Sequence, residues 1–156
     1  SDVSEEAFYK NGKLDKKRLA EIVFSDPEKL KSLNMMVHPV VRKDFQKWCL
    51  AHEKYTYVIK EAAILFESGA HKDCDYIISV VSPVELRILR VRERDRKSRV
   101  DVENIIENQW SDEERNKKSD FILTNDEQEL LIPQVLAIHD KLIKSINDLS
   151  EGKEVK

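Results

Sequence analysis

YTYVIKEAAILFESG, residues Tyr55–Gly69, is where this chain changes from one kind of structure to another. Tyr55, Thr56, Tyr57, Val58 and Ile59 are aromatic or β-branched, the residue types a buried strand favours. Charge arrives at once in Lys60 and Glu61, followed by Ala62-Ala63, an apolar step Ile64-Leu65-Phe66, and then Glu67-Ser68-Gly69. In open α/β sheets, ligands sit beyond the carboxyl ends of strands. Glu61 and Glu67 therefore flank the place where a functional loop belongs. A strand running into a solvated turn fits the same letters.

Upstream, the pattern is helical. Asn11-Gly12 marks a turn and Asp15 is a helix cap, after which Leu19, Ile22 and Val23 share a face. Ser25-Asp26-Pro27-Glu28 starts a second helix with a polar cap, proline in the first turn and an acid near the positive dipole end. His38-Pro39 is expected to break it, because a residue before proline avoids the α region. A third helix then carries Phe45, Trp48, Cys49 and His52 on one face.

Downstream, Asp75–Val81 is a second strand, nearly all apolar, as when both sheet faces are covered. No hairpin turn links it to the first, so the two suit a parallel sheet with a crossover. A helix runs from Ser82-Pro83 to about Asp95. Asp101 can cap another that ends at Gln109, and Ser111–Glu114 is a capping box that opens a short helix with Arg115. Asp120–Thr124 is a third strand, ending at Asn125-Asp126. A last amphipathic helix turns Leu131, Val135, Ile138, Leu142 and Leu149 inward, and 150–156 read as a disordered tail.

The densest charge lies between Glu85 and Arg99, where six arginines and Lys97 face only Glu85, Glu93 and Asp95. At about 100° per residue, Arg87, Arg90 and Arg94 fall within an arc of roughly 60°. Arginine forks match phosphate oxygens in pairs. A solvated face paired to Glu93 and Asp95 is the other reading. Short charged helices after such a row suit a lid over a nucleotide, and also an ordinary surface excursion, which is the commoner case.

The 156 residues are 40% hydrophobic and 37% charged, with a net charge of −3. That balance argues against a general nucleic-acid binder. No apolar run is long enough to cross a membrane. Cys49 and Cys74 have neither metal spacing nor a disulfide framework, which points to a reducing cytoplasm.

Taken in order, LDKKRLAEIVFSDPEKLKSLNMMVHPVV, IKEAAILFESG, ELRILRVRERD and IIENQWSDEERNKKSDFILTND resemble dephospho-CoA kinase from about Gly12 to Leu142. His38-Pro39 resembles the family's L…HP element. Glu61–Glu67 resembles its D-x-P-L-L-F-E loop, with Glu for Asp and Ala63 for Pro. Arg90, Arg94 and Asp95 resemble its R-x3-R-D. Gln109, Arg115 and Asn125 resemble its lid glutamine, lid arginine and base-side asparagine.

The resemblance implies an α/β, P-loop kinase-like three-layer fold with a parallel sheet. It divides into a helical acceptor region (1–54), core strands and helix (55–95), a lid (96–118) and a core strand with the C-terminal helix (119–149), in one folded domain overall. It implies ATP and Mg²⁺ as cofactors and dephospho-CoA as substrate, phosphorylated on the ribose 3′-hydroxyl in the final step of coenzyme A synthesis. Arg90, Arg94 and Arg115 would be catalytic. His38, Glu61, Leu65, Phe66, Glu67 and Asp95 would face the substrate, and Gln109 and Asn125 the nucleotide. No metal ligand is assigned.

The family's phosphate loop, G-x-x-x-x-G-K-[ST], has no counterpart, because none of the three glycines, Gly12, Gly69 and Gly152, fits it. Its Asp-x-Asp motif is also absent. The expectation is that the first two strands and the phosphate loop are missing. The 55–60 and 75–81 strands would then not be ladder partners, and the chain alone would be unstable or associate. A non-catalytic nucleotide- or partner-binding module, or a kinase of another nucleotide-like acceptor, stays open, as does the oligomeric state.

Overall fold

The computed structural model describes residues 13–152, so the Asn11-Gly12 turn and the end of the tail lie outside it. The chain divides into two compact units, Ser1–Tyr55 and Thr56–Lys156.

The first unit holds helices α1 (Lys16–Phe24) and α2 (Pro27–Ala51). Their starts are fixed by side-chain caps. Asp15 accepts from the amides of Lys17 and Arg18, and Asp26 from those of Glu28 and Lys29. Such caps satisfy donors that the first helical turn cannot pair internally. α1 packs on α2 and buries Val23.

The break expected at His38-Pro39 does not occur, for Pro39 lies inside α2. Proline removes one intrahelical donor and crowds the preceding turn, at about 3 kcal/mol. The 25-residue helix nevertheless continues through it. Near its end, Trp48 stacks between Phe45 and His52, with centroids at 5.9 and 4.2 Å. Tyr55 extends the stack from His52.

In the second unit, β1 (Ile78–Val81) and β2 (Phe121–Thr124) pair in parallel, Ile78 against Phe121 through Val81 against Thr124. Between them run α3 (Val84–Asp95), α4 (Arg99–Glu107) and α5 (Asp112–Lys117), and α6 (Leu131–Ser150) follows β2. Ile88, Val102, Leu123 and Ile138, one from each of α3, α4, β2 and α6, form the core with Phe66. α6 buries only Ile138 fully, and Leu131, Val135 and Leu149 stay exposed, contrary to the inward stripe expected of them. Gln134 of α6 meets β2 like a short strand. Its Oε1 accepts from the Thr124 amide at 2.8 Å, and its Nε2 donates to the Thr124 carbonyl at 3.0 Å.

Residues 56–60 do not form the expected strand. β propensity makes a strand only with a ladder partner, and β1 pairs with β2 alone among the described residues. The segment is tied down by a side chain instead, the Tyr57 hydroxyl lying 2.7 Å from His139 Nδ1 on α6. The expectation that this segment and β1 are not ladder partners agrees with the structure. Neither sheet face is fully covered, since Val80 is 54% and Ile122 49% exposed.

Candidate functional site

The carboxyl ends of β1 and β2 lie side by side, as their register requires. Arg90 of α3 spans them. Its guanidinium donates to Ser82 Oγ after β1, and to the carbonyl and Oδ1 of Asn125 after β2. It also pairs with Glu127 at 3.1 Å. Asn125 is held in turn by its amide, which donates to the Val81 carbonyl at 2.8 Å. Asp126 then accepts from the amides of Glu129 and Gln128, which hold its carboxyl below the ordinary range.

The arginine row is a row in sequence but not in chemistry. Arg87 forks onto Asp112 of α5, at 3.0 and 3.3 Å. Arg94 forks onto its own neighbour Asp95 and is 75% exposed. That hydrogen-bonded pairing raises the Arg94 pKa and lowers that of Asp95. Arg99 bridges Glu85 and Glu103.

Among the ion-paired arginines of the described residues, the most enclosed are Arg87, 23% exposed, and Arg115, 20% exposed. Both hold Asp112, so two guanidinium groups share one carboxylate. The Nε atoms of both, and Asn116 Oδ1, are buried without a partner. A buried donor left unpaired costs about 1–3 kcal/mol, so each Nε is open to a further acceptor, whereas Asn116 Oδ1 is an acceptor without a donor. Sequence reading does not single out Arg87 and Asp112 as a site pair, because their pairing spans 25 positions and no local motif carries it.

The loop before β1 joins this cluster. Phe66 is buried and stacks on Trp110, with centroids 5.1 Å apart and planes 5° from parallel. Glu67 Oε1 accepts from the Trp110 amide at 2.7 Å. Leu65 is half-buried, whereas Glu61 is exposed and stands outside these contacts. Gln109 lies at the elbow between α4 and α5, beside Trp110. His38 belongs to α2 in the first unit.

α4 and α5 each begin with a capping box, and the cap of α4 is Ser98 rather than the expected Asp101. Asp101 is the third helical residue. It accepts from the Ser98 hydroxyl and amide, as Glu114 does from Ser111. These hydrogen bonds, the hydroxyl's foremost, hold both carboxyls below their ordinary range. Folding therefore favours the ionised form. The caps contribute fully above the unfolded pKa values and are lost as pH falls through the lowered ones. Amide shifts of 99–107 and 112–117 should report fraying of both helices below about pH 4. Asp101→Asn should remove that step from α4 alone; an unchanged α4 titration would count against this origin.

A family model described as dephospho-CoA kinase matches residues 2–130. The chain belongs to the dephospho-CoA kinase family. The dephospho-CoA kinase of Leptospira interrogans is 46% identical over 114 residues, 73% of this chain and 55% of that protein. That of Bacteroides fragilis is 35% identical over 97% of this chain and 73% of its own length. The chain thus spans about half the length of the first of these dephospho-CoA kinases. Among solved structures, a Thermus thermophilus protein superposes with a TM-score of 0.80 at 33% identity, covering 90% of this chain and 73% of its own. Dephospho-CoA kinase from Campylobacter jejuni superposes at 0.52 and 30% identity, covering 94% and 70%. The motif resemblance and the expected α/β class, parallel strands linked by helices as in P-loop kinases, both stand. Among the described residues, no helix is long and apolar enough to cross a membrane.

Proposed function

We propose that this chain supplies the lid and part of the acceptor side of an enzyme that moves the γ-phosphate of ATP to the ribose 3′-hydroxyl of dephospho-CoA. The observation that carries the reading is the Arg87–Asp112–Arg115 cluster, two enclosed guanidinium groups with buried Nε atoms lacking acceptors. Phosphoryl transfer needs charge neutralisation and alignment more than covalent chemistry from the protein. Arg115 and Arg87 provide fixed positive charge, and Arg90 with Asn125 shapes the strand-end floor on the base side. Arg94 and Asp95 mark the entry to the lid. Gln109 borders the nucleotide, the loop 61–67 is assigned to the acceptor, and so, within its own unit, is His38. ATP supplies the phosphoryl group when bound.

Among the described residues, no group of three or more His, Cys, Asp or Glu could hold a metal by itself, and Mg²⁺ at such sites is held by one or two carboxylates with waters and the substrate's phosphates. No step of the transfer is routed through the ion. A cytoplasmic location fits both the reaction and the two unpaired thiols.

The test is ADP release by the full-length protein across a panel of acceptors with ATP and Mg²⁺. Dephospho-CoA should be preferred, with product phosphorylated at the 3′-position. Preference for a nucleoside monophosphate would make it a kinase of another acceptor. Ligand binding without turnover would make it a binding module.

A further inference from the structure

The loop 64–69 and the elbow between α4 and α5 are separate in sequence but joined in space. We infer that Glu67 and Trp110 are positioning residues that latch this loop to α5, and through α5 set the place of Arg115. This rests on the functional reading above, in which the loop belongs to the acceptor and α5 to the lid.

Trp110 directly precedes Ser111, the cap of α5. An apolar residue there usually packs on the fourth helical residue, but here that residue is Arg115, engaged with Asp112. The indole stacks on Phe66 instead. The Trp110 amide lies outside the helical ladder and donates to Glu67. Phe66 is itself backed by His71 of the short helical turn Ala70–Asp73, at 5.2 Å. The entry to α5 is thus fixed by a stack and a side-chain-to-backbone hydrogen bond from one loop. At the first residue of α5, Arg87 of α3 takes hold through Asp112. A ligand that shifts the loop must move the Trp110 amide, and with it the start of the helix bearing Arg115.

The same geometry reassigns Glu67. Its carboxylate oxygen is used to hold a backbone amide, so its role needs an acceptor atom and not a negative charge. Glu67→Gln keeps an acceptor and Glu67→Ala does not. Likewise Trp110→Phe keeps a stacking face and Trp110→Leu does not.

Two arms test this in the full-length protein. In the first, without ligand, amide exchange over 111–117 should rise about fivefold or more in Glu67→Ala, as expected for loss of one net hydrogen bond. It should stay near wild type in Glu67→Gln, and Trp110→Leu should exceed Trp110→Phe. Unchanged exchange in Glu67→Ala, or equal damage in Glu67→Gln and Glu67→Ala, would overturn the latch. In the second arm, dephospho-CoA is titrated without nucleotide into a background in which Trp48 and any other tryptophan except Trp110 are replaced by phenylalanine, with calorimetry alongside Trp110 emission. Binding with a shifted emission supports the coupling, and binding with unchanged emission overturns it. No heat of binding would refute the acceptor reading instead, and the exchange arm alone would then decide the latch.

Discussion

Arg115→Ala in the full-length protein should lower kcat by about 10²- to 10³-fold, the usual loss for one preorganised charge-assisted donor. The KM for dephospho-CoA should move by less than about tenfold, because the interaction grows as phosphate charge redistributes. Among the described residues, Arg115 is the most enclosed of the ion-paired arginines, and its buried Nε has no acceptor. Asp112 would keep Arg87 as a counter-ion after the substitution, so α5 should stay docked on α3. An unchanged melting temperature would establish that. Arg115→Lys should recover little, since an ammonium lacks the planar fork. Arg94→Ala is the informative comparison. Arg94 is solvated and forked on Asp95, so reaching a phosphate would require giving up that pair. Its loss should be the smaller of the two. If Arg115→Ala leaves kcat unchanged while Arg94→Ala does not, the charge that matters is at the lid's entry, and the enclosed cluster is structural.

What is legible in the sequence follows the range of the forces involved. Asp15, Asp26 and Ser111 act within one helical turn, and each caps where the letters place it. β1 and β2 are short apolar runs without a hairpin turn, and they pair in parallel. His38-Pro39 misleads because proline's cost is local, whereas the long helix that absorbs it is not. Residues 56–60 mislead because a strand depends on a neighbour that propensity does not reveal. Asp101 lies one helical turn from the true cap, since either member of a capping box can pass for its first residue. Within the candidate site, Asn125 is expected at the end of the third strand, and Arg90, expected in the helical arginine row, meets it there. Arg87–Asp112 and Glu67–Trp110 are not legible as pairs, being contacts across 25 and 43 positions. Trp110 leaves one trace. An aromatic residue before a capping box, with Arg115 where its apolar partner belongs, must find that partner elsewhere in the fold.

Residues 1–156 expressed alone should transfer no phosphate, even where the full-length protein does. The β- and γ-phosphates of ATP are usually cradled by consecutive backbone amides in a glycine-rich loop, with a lysine at its end. These residues contain three glycines, and no G-x-x-x-x-G-K-[ST] among them. The arginines cannot replace the cradle. Arg87, Arg90, Arg94 and Arg99 each spend their forks on carboxylates or strand-end oxygens. Arg115 offers fixed charge but not the row of amides that aligns an in-line attack. Loss of alignment alone can remove many powers of ten in rate. The chain's own surface adds a second obstacle, with Ile59 exposed and Val80 and Ile122 exposed on the two-stranded sheet. Such a surface favours association over a stable monomer. The measurement is coupled ADP release with ATP, Mg²⁺ and dephospho-CoA, on material freed of host kinase and sized by sedimentation. Turnover on the order of 1 s⁻¹ from a soluble monomer would be an ordinary enzymatic rate. It would show that the phosphate cradle can be built from these residues, and the roles of Arg87 and Arg115 would have to be enlarged to include it.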